Sequence, residues 1–227
     1  EHMVPNASHR KKNRSTWTLP QGVSKGTWDY CESHDIADSY DRYLSDHGLF
    51  RLDKSAVEHH WQPGARTIDL GRGTGRAILP LLERKAACVA FDLSQPMLNQ
   101  VREKAKGAGV ERYLVCVRGN LAELDCFADD SFDLALCLFS TLGMVRTHQA
   151  RAKFCQQVAR ILKPGGKLIL QVHNYWAQLF VPGGFRWMLE NVWNRVRQPE
   201  TEIGDKIYPY RGIPDMYLHS FTRTELR

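Results

Sequence analysis

Several features that would place this chain in other protein classes are missing from its sequence. No run of about 18 uncharged apolar residues occurs, so we expect no membrane span and no membrane partner. The first residues also lack the apolar stretch of a secretory signal. The six cysteines form neither a Cys-x-x-Cys pair nor a cluster with histidine at zinc spacing, so we expect no metal site. We interpret the thiols as core residues of a protein in the reducing cytoplasm.

Acidic residues are scarce at the start of the chain, and this explains much of the net charge of +6. Residues 1–27 hold five Lys or Arg and one acid, whereas the remaining residues are nearly balanced. We interpret residues 1–27 as a basic, flexible tail and residues 28–227 as one domain. An arm that binds nucleic acid is the alternative, and we do not favour a nucleic-acid partner.

Strand-like and helix-like patterns alternate after residue 63. This alternation with short links predicts an α/β fold, a three-layer Rossmann-like sandwich whose mostly parallel sheet has helices on both faces. In such sheets, ligands bind beyond the carboxyl ends of the strands. The predicted strands cover 65–70, 86–92, 113–117, 132–139 and 167–173, and the predicted helices cover 32–61, 75–85, 95–107 and 148–162.

A glycine-rich segment, DLGRGTG at 69–75, follows the first predicted strand. Its spacing is GxGxG, which differs from the GxGxxG of dinucleotide-binding folds, and no Gly-Lys-Ser/Thr follows as in a phosphate-binding P-loop. The glycines allow a tight turn and a close approach of the backbone to a ligand. Asp69 precedes the first glycine by two residues and would repel a pyrophosphate. The segment therefore favours a ligand that carries cationic groups.

A second acid lies 21 residues after Gly71, at the end of the next predicted strand. A carboxylate at this position, here Asp92, can accept hydrogen bonds from both hydroxyls of a ribose. The alternative is that Asp92 only stabilises the start of the following helix, beside Ser94. Its combination with the glycine segment favours ribose binding.

These residues resemble the class I methyltransferases that use S-adenosylmethionine. The resemblance rests on the segments 69–75, 92–94, 128–134 (ADDSFDL) and 162–168 (LKPGGKL), which occur in the family's order. They are most similar to the group that includes small-molecule and quinone-biosynthesis enzymes. The resemblance implies that the chain transfers a methyl group from S-adenosylmethionine to a small-molecule acceptor and leaves S-adenosylhomocysteine.

The resemblance also implies a cofactor site. The glycines would line the methionine and ribose parts, and Asp92 would hold the ribose. Asn120 stands where the family usually has an aspartate that receives the adenine amino group, and an amide oxygen can also accept that bond. Tyr40 would cover the cofactor from an N-terminal helix, unless it is only a core residue. The implied site consists of Tyr40, Asp69, Gly71, Gly73, Gly75, Asp92, Leu93, Asn120, Leu121 and Leu138.

Two departures from the family pattern matter. Arg72 replaces the usual small residue and would crowd the cofactor if it pointed into the site. The family also continues with a helix and two more strands after a segment like 219–226, whereas this sequence stops at residue 227. Either the chain is part of a longer one with its C-terminal strands missing, or something else covers the sheet edge, such as the partner chain of a homodimer.

The acceptor region is less defined by the sequence. His173 and Asn174 end the fifth predicted strand, and His173 is our candidate general base, with a structural histidine as the alternative. Residues 175–214 are rich in aromatics, which predicts a cap over an apolar or planar acceptor, or else a helical patch with its own small core. The competing functions are an RNA or protein methyltransferase and a non-enzymatic relative that has lost cofactor binding.

Overall fold

The computed structural model describes residues 18–43, 48–71 and 73–226. Five parallel strands form the main sheet in the order β3-β2-β1-β4-β5. The chain first builds outward from β1 to β3 and then returns to the other side of β1, so the strand order reverses between β1 and β4. The strands are β1 Thr67–Leu70, β2 Cys88–Asp92, β3 Leu114–Arg118, β4 Phe132–Cys137 and β5 Leu162–Leu170.

Helices cover both faces of this sheet, which confirms the predicted three-layer α/β fold. They are α1 Lys25–Glu32, α2 His34–Tyr43, α3 Leu49–His60, α4 Leu79–Glu83, α5 Gln95–Gly107, α6 His148–Ile161 and α7 Gly184–Arg197. On one face, buried Phe154 and Val158 of α6 pack against β1 and β4. On the other face, buried Leu98 and Val101 of α5 pack against β2 and β4. Among the described residues, no helix combines the length and apolarity needed to cross a bilayer.

The element boundaries agree with the sequence patterns where a local signal marks them. Helix α5 begins and ends as predicted, because the Ser94 hydroxyl accepts a hydrogen bond from the Met97 amide and caps its first turn. The stretch 32–61, predicted as helical, contains the two helices α2 and α3, and residues 44–47 between them lie outside the described part of the chain. The predicted helix over 75–85 is also shortened to α4, because turns occupy the residues after the third glycine of the loop.

The fifth strand differs from its prediction at both ends. It begins at Leu162, and Pro164-Gly165-Gly166 forms an irregularity inside the strand rather than the turn before it. Gly165 has a φ of 81°, which accommodates this bulge. The strand ends at Leu170, so the prediction that it extends to His173 was wrong. His173 lies in the segment that leaves the sheet.

Beyond β5 the chain forms a separate cap. A 3₁₀ turn, Tyr175–Phe180, leads into α7, and an antiparallel hairpin follows, made of β6 Asp205–Tyr210 and β7 Ile213–His219. Phe221 then returns to the edge of the main sheet, where its amide donates to the carbonyl of His173 at 2.7 Å.

The start of the chain also differs from the prediction of a tail up to residue 27. Helix α1 begins at Lys25 with Ser24 as its cap, and it packs against β7. Residues 18–27 therefore belong to the fold, while residues 1–17 lie outside the described part of the chain. The boundary was missed because α1 is stabilised mainly by tertiary contacts and carries only a weak apolar pattern of its own.

Candidate active site

A cavity of about 640 Å³ opens at the carboxyl edge of the main sheet. It lies beside the point where the strand order reverses, which is the usual ligand position in such sheets. Most of the residues predicted for the site line this cavity: Tyr40, Gly71, Gly73, Asp92, Leu93, Asn120, Leu121 and His173. The fold therefore brings together side chains from segments that are far apart in the sequence.

The glycine loop after β1 takes a backbone shape that favours glycine. Gly71, Gly73 and Gly75 have φ values of 71°, 56° and 103°, in the left-handed region. A Cβ atom on Gly71 would lie 2.0 Å from Cγ2 of Thr141. A Cβ atom on Gly73 would lie 3.2 Å from the ring of Tyr40. The loop is thus enclosed between the segment after β4 and helix α2.

We expect Gly71→Ala to lower the free energy of unfolding by about 2–4 kcal/mol, from left-handed strain and overpacking together. The double variant Gly71→Ala/Thr141→Ser removes the clashing methyl group and keeps the hydroxyl that donates to the Gly71 carbonyl. It should recover the overpacking part of the loss and leave the strain. Urea unfolding measures both values. Equal losses in the single and double variants would show that Thr141 does not enclose the loop.

Helix α2 is attached to the glycine loop through Asp41. Its carboxylate accepts hydrogen bonds from the Thr74 hydroxyl and from Lys104 of α5, and Lys104 also donates to the Thr74 carbonyl at 2.9 Å. Burial alone would raise the pKa of Asp41, but these donors outweigh it and hold the pKa below its usual range. This cluster fixes the neighbouring Tyr40 over the loop.

Asp92 lies at the end of β2 and is only 8% exposed. One carboxylate oxygen accepts the Gly73 amide at 3.1 Å, and the other accepts the Ser94 amide at 2.8 Å. A carboxylate oxygen can accept more than one hydrogen bond. Asp92 therefore contacts both the glycine loop and the start of α5, and it also lines the cavity.

Asn120 connects the cavity to the N-terminal segment. Its side-chain NH₂ donates to the Gln21 carbonyl at 2.9 Å, and its oxygen accepts the Ala122 amide at 3.3 Å. The preceding residue, Gly119, leaves no room for a side chain, since a Cβ atom there would lie 2.4 Å from the Phe91 ring. Gln21 belongs to the part of the chain that we predicted as tail, so this contact was missed.

The loop after β4 takes a strained course beside the cavity. Phe139 and Ser140 have φ values of 54° and 59°, although neither is glycine. Left-handed residues of this kind cost about 1–3 kcal/mol each and concentrate at functional sites. Hydrogen bonds hold the loop to the segment after β5: Gln171 Oε1 accepts the Phe139 amide at 2.6 Å, and Ser140 Oγ accepts the His173 amide at 3.0 Å. The loop thereby positions the backbone of His173 at the cavity wall.

Three predicted residues do not line the large cavity. Asp69 is buried within β1 and, with Leu138, lines a smaller cavity of about 390 Å³ behind Tyr40. Gly75 packs toward Leu79 and Val101 on the other side of the loop. Direct contact with a ligand in the large cavity is therefore best supported for the other eight predicted residues. Arg72 lies outside the described residues.

Tyrosine and methionine side chains line what we call the outer part of the cavity. The sequence did not predict them as site residues, although Tyr208 and Tyr210 fall in the aromatic-rich segment 175–214. They come from α1, α2, the short turn 141–144 and both strands of the hairpin: Tyr30, Tyr43, Met144, Tyr208, Tyr210 and Met216. Burial raises the pKa of the Tyr30, Tyr208 and Tyr210 phenols. These hydroxyls therefore stay protonated at neutral pH, where a phenol can donate a hydrogen bond but does not act as a base.

Comparison with known proteins agrees with this geometry. Residues 68–170 match the family model described as a methyltransferase domain. The ubiquinone/menaquinone biosynthesis C-methyltransferase of Vibrio vulnificus is 31% identical over 144 residues, which cover 60% of this chain and 54% of that protein. The demethylmenaquinone methyltransferase of Corynebacterium glutamicum is 36% identical over 107 residues, 47% of this chain and 41% of that protein. The chain thus spans about half the length of the curated relatives that it matches.

Two solved structures have the same fold. A SAM-dependent methyltransferase of Methanosarcina mazei superposes with a TM-score of 0.64 at 21% identity, over 75% of this chain and 79% of that one. The CcbJ methyltransferase of Streptomyces caelestis superposes with a TM-score of 0.58 at 28% identity, over 65% of this chain and 60% of that one. Residues 68–170 thus match a methyltransferase domain in sequence, and the sheet that holds them has the class I methyltransferase fold.

The class I methyltransferase domain implies S-adenosylmethionine as its cofactor, and the cavity has a donor set that fits this molecule. The glycines of the loop have left-handed backbone conformations, and the Asp92 carboxylate at the cavity is a group that can accept hydrogen bonds from a diol. Asn120 and Leu121 offer an amide and an apolar surface next to Asp92. The roles of the individual residues in this methyltransferase site stay predictions.

Proposed function

We propose that this chain transfers a methyl group from S-adenosylmethionine to an uncharged small-molecule acceptor. The observation that carries the proposal is the mixed lining of one cavity. The inner part presents the glycine loop and Asp92, and the outer part is walled by tyrosines and methionines. Among the described residues that line this cavity, Asp92 and His173 are the only side chains that can carry charge near neutral pH, so the described part of the wall favours an uncharged acceptor.

The cofactor, when bound, supplies an electrophilic methyl group on a sulfonium, and transfer is a direct displacement. The residues of this chain then have three tasks. Asp92 and the glycine loop orient the cofactor. The tyrosines of the hairpin cover the acceptor and exclude water. His173 would accept the proton that an acceptor hydroxyl or acidic carbon loses.

The relatives support a narrower acceptor class. Two of them are named for ubiquinone or menaquinone biosynthesis and for demethylmenaquinone. A hydroxylated aromatic ring would fit a wall of tyrosine rings and methionine sulfurs, through stacking and hydrogen bonds to the phenols. We propose a quinol-like or phenol-like ring as the acceptor. A cytoplasmic location and a homodimer stay predictions.

The first experiment is calorimetric titration of the purified chain with S-adenosylmethionine and S-adenosylhomocysteine, with NAD as the control nucleotide. We expect binding of both methionine-derived ligands and none of NAD. Production of S-adenosylhomocysteine is then measured with a panel of phenols, quinols, amines and carboxylates. Absence of cofactor binding would favour the non-enzymatic alternative, and turnover of an RNA or protein acceptor alone would overturn the small-molecule proposal.

With an acceptor in hand, we expect His173→Ala to lower kcat by about 100-fold, the lower range for loss of a general base. The acidic limb of the pH–rate profile should disappear with it. The affinity for S-adenosylhomocysteine should not change. His173→Gln, which keeps much of the volume without the basic nitrogen, should be equally impaired. Unchanged turnover in both variants would remove His173 from the mechanism.

A further inference from the structure

The outer surface of the cap is unusually apolar. Fifteen large hydrophobic side chains are exposed among the described residues, and nine of them lie between positions 176 and 196. Single exposed hydrophobic residues are normal on protein surfaces, but a contiguous apolar patch usually marks a binding surface. This group of exposed hydrophobic side chains therefore indicates a binding surface.

Helix α7 supplies most of this surface because its most apolar side faces away from the rest of the protein. One side of α7, which carries Gly184, Met188 and Asn191, is buried and faces the rest of the cap. Another side repeats apolar residues at i, i+4, i+7 and i+11, and these residues are 48–70% exposed. Phe180, at the end of the preceding 3₁₀ turn, is 89% exposed. We call this surface the apolar cap face, and it consists of Phe180, Phe185, Leu189, Val192, Trp193 and Val196.

Cationic side chains border the apolar cap face. Helix α7 carries three arginines, Arg186, Arg195 and Arg197, against one acid, Glu190. Arg186 and Arg197 fall on the side of the helix next to the apolar stripe. A helix with Trp, Phe and Leu on one side and arginines beside them is the pattern of helices that lie in the plane of a membrane surface.

We propose that the apolar cap face binds the surface of a membrane that contains anionic lipids. The apolar side chains would enter the region between headgroups and acyl chains, and the arginines would contact anionic headgroups. A second copy of this chain is a poorer match, because a two-fold contact would place the same arginines near each other. The proposal concerns attachment to a surface and requires no membrane-spanning helix, of which the described residues contain none. It departs from our expectation of no membrane partner, which rested only on the lack of a spanning segment in the sequence.

The position of this face relative to the cavity gives the attachment a consequence. The amide of Asn191 on α7 donates to the Asp205 carbonyl at 2.9 Å, and its oxygen accepts the Gly204 amide at 2.7 Å. Helix α7 thereby holds the start of β6, whose Tyr208 and Tyr210 wall the outer cavity. If the cap lay on a bilayer, the outer part of the cavity would be close to the membrane, where apolar molecules concentrate.

Sedimentation of the full chain with vesicles tests the proposal. We expect binding to vesicles of phosphatidylcholine with phosphatidylglycerol, and at least tenfold weaker binding to phosphatidylcholine alone. Leu189→Glu/Trp193→Glu should reduce binding at least tenfold. Arg186→Gln/Arg197→Gln should reduce it by about fivefold per arginine at low salt. Leu52→Glu, at a position that is 65% exposed on α3, is the matched control and should bind like the parent.

Three outcomes would overturn the proposal. One is no vesicle binding by the parent chain. Another is binding that survives Leu189→Glu/Trp193→Glu but is lost when the basic residues 1–17 are removed, since the tail would then be the binding element. The last is a concentration-dependent dimer in sedimentation equilibrium that Leu189→Glu/Trp193→Glu dissociates while vesicles have no effect. That result would assign the face to a second copy.

Discussion

Asp92→Ala should weaken the binding of S-adenosylhomocysteine by about 100-fold. Hydrogen bonds to a charged acceptor contribute about 1.5 kcal/mol or more each, and a ribose diol would make two with this carboxylate, so the loss is about 3 kcal/mol. Asp92 also accepts the amides of Gly73 and Ser94. Its removal would therefore loosen the loop as well as delete the ribose contacts, and both effects lower the affinity.

Calorimetry measures this affinity, and circular dichroism establishes that the variant is folded. Asp133→Ala is the control, because Asp133 pairs with Lys163 at the opposite end of the strands, away from the cavity. Its affinity for S-adenosylhomocysteine should equal that of the parent. Parental affinity in folded Asp92→Ala would mean that the cofactor's ribose binds elsewhere, and the proposed site would have to be abandoned.

The second large effect concerns a buried polar cluster under the cap. Asp205→Ala should lower the free energy of unfolding by about 3 kcal/mol at neutral pH, because it leaves buried partners without their carboxylate. Asp205 accepts hydrogen bonds from the Tyr217 hydroxyl at 2.6 Å and the Glu202 amide at 3.0 Å, and it lies 2.8 Å from Nδ1 of fully buried His219. Urea unfolding measures the difference.

This cluster attaches the hairpin to the domain. The other ring nitrogen of His219 lies 2.9 Å from Glu225, and Arg151 of α6 forms an ion pair with Glu202. The ligand atoms of Glu202, Asp205 and His219 lie within 4.8 Å of one another, but the Arg151 guanidinium already provides positive charge beside them. We therefore interpret the cluster as structural. Glu190→Ala, which removes an exposed partner of Arg186, is the control and should leave the unfolding midpoint unchanged.

The cluster also gives the stability a defined pH dependence. Burial alone would raise the pKa values of Asp205 and Glu225, but hydrogen bonds from His219 and other donors outweigh it and lower both. A carboxyl group whose pKa is lower in the folded state stabilises the fold above its unfolded pKa, about 4, and this contribution disappears as the pH falls through the folded value. The stability difference between the parent and Asp205→Ala should thus be constant above about pH 5 and shrink below about pH 4. A difference that grows toward low pH would contradict this account.

The two variants, Asp92→Ala and Asp205→Ala, test the cofactor part and the acceptor part of the site separately. Asp92→Ala should impair cofactor binding with the hairpin in place. Asp205→Ala should loosen the hairpin, and with it Tyr208 and Tyr210, while the glycine loop stays intact. Acceptor binding would then weaken more than cofactor binding. Equal weakening of both would indicate that the cap and the cofactor loop unfold as one unit.

The sequence by itself determined the parallel sheet, the glycine loop and the acid at the end of β2, because local patterns specify them. Apolar runs that alternate with helix-like patterns mark the strands. Closely spaced glycines mark a turn whose backbone conformation other residues rarely adopt. Only the tertiary structure decided the outer wall of the site. Tyr30 and Tyr210, whose ring centroids are 6.2 Å apart, are separated by most of the chain, and neither carries a local signal for its partner. The exit of His173 from β5 and the exposure of the apolar side of α7 likewise depend on what packs against them, because burial is a property of the assembled fold and not of the residue pattern alone.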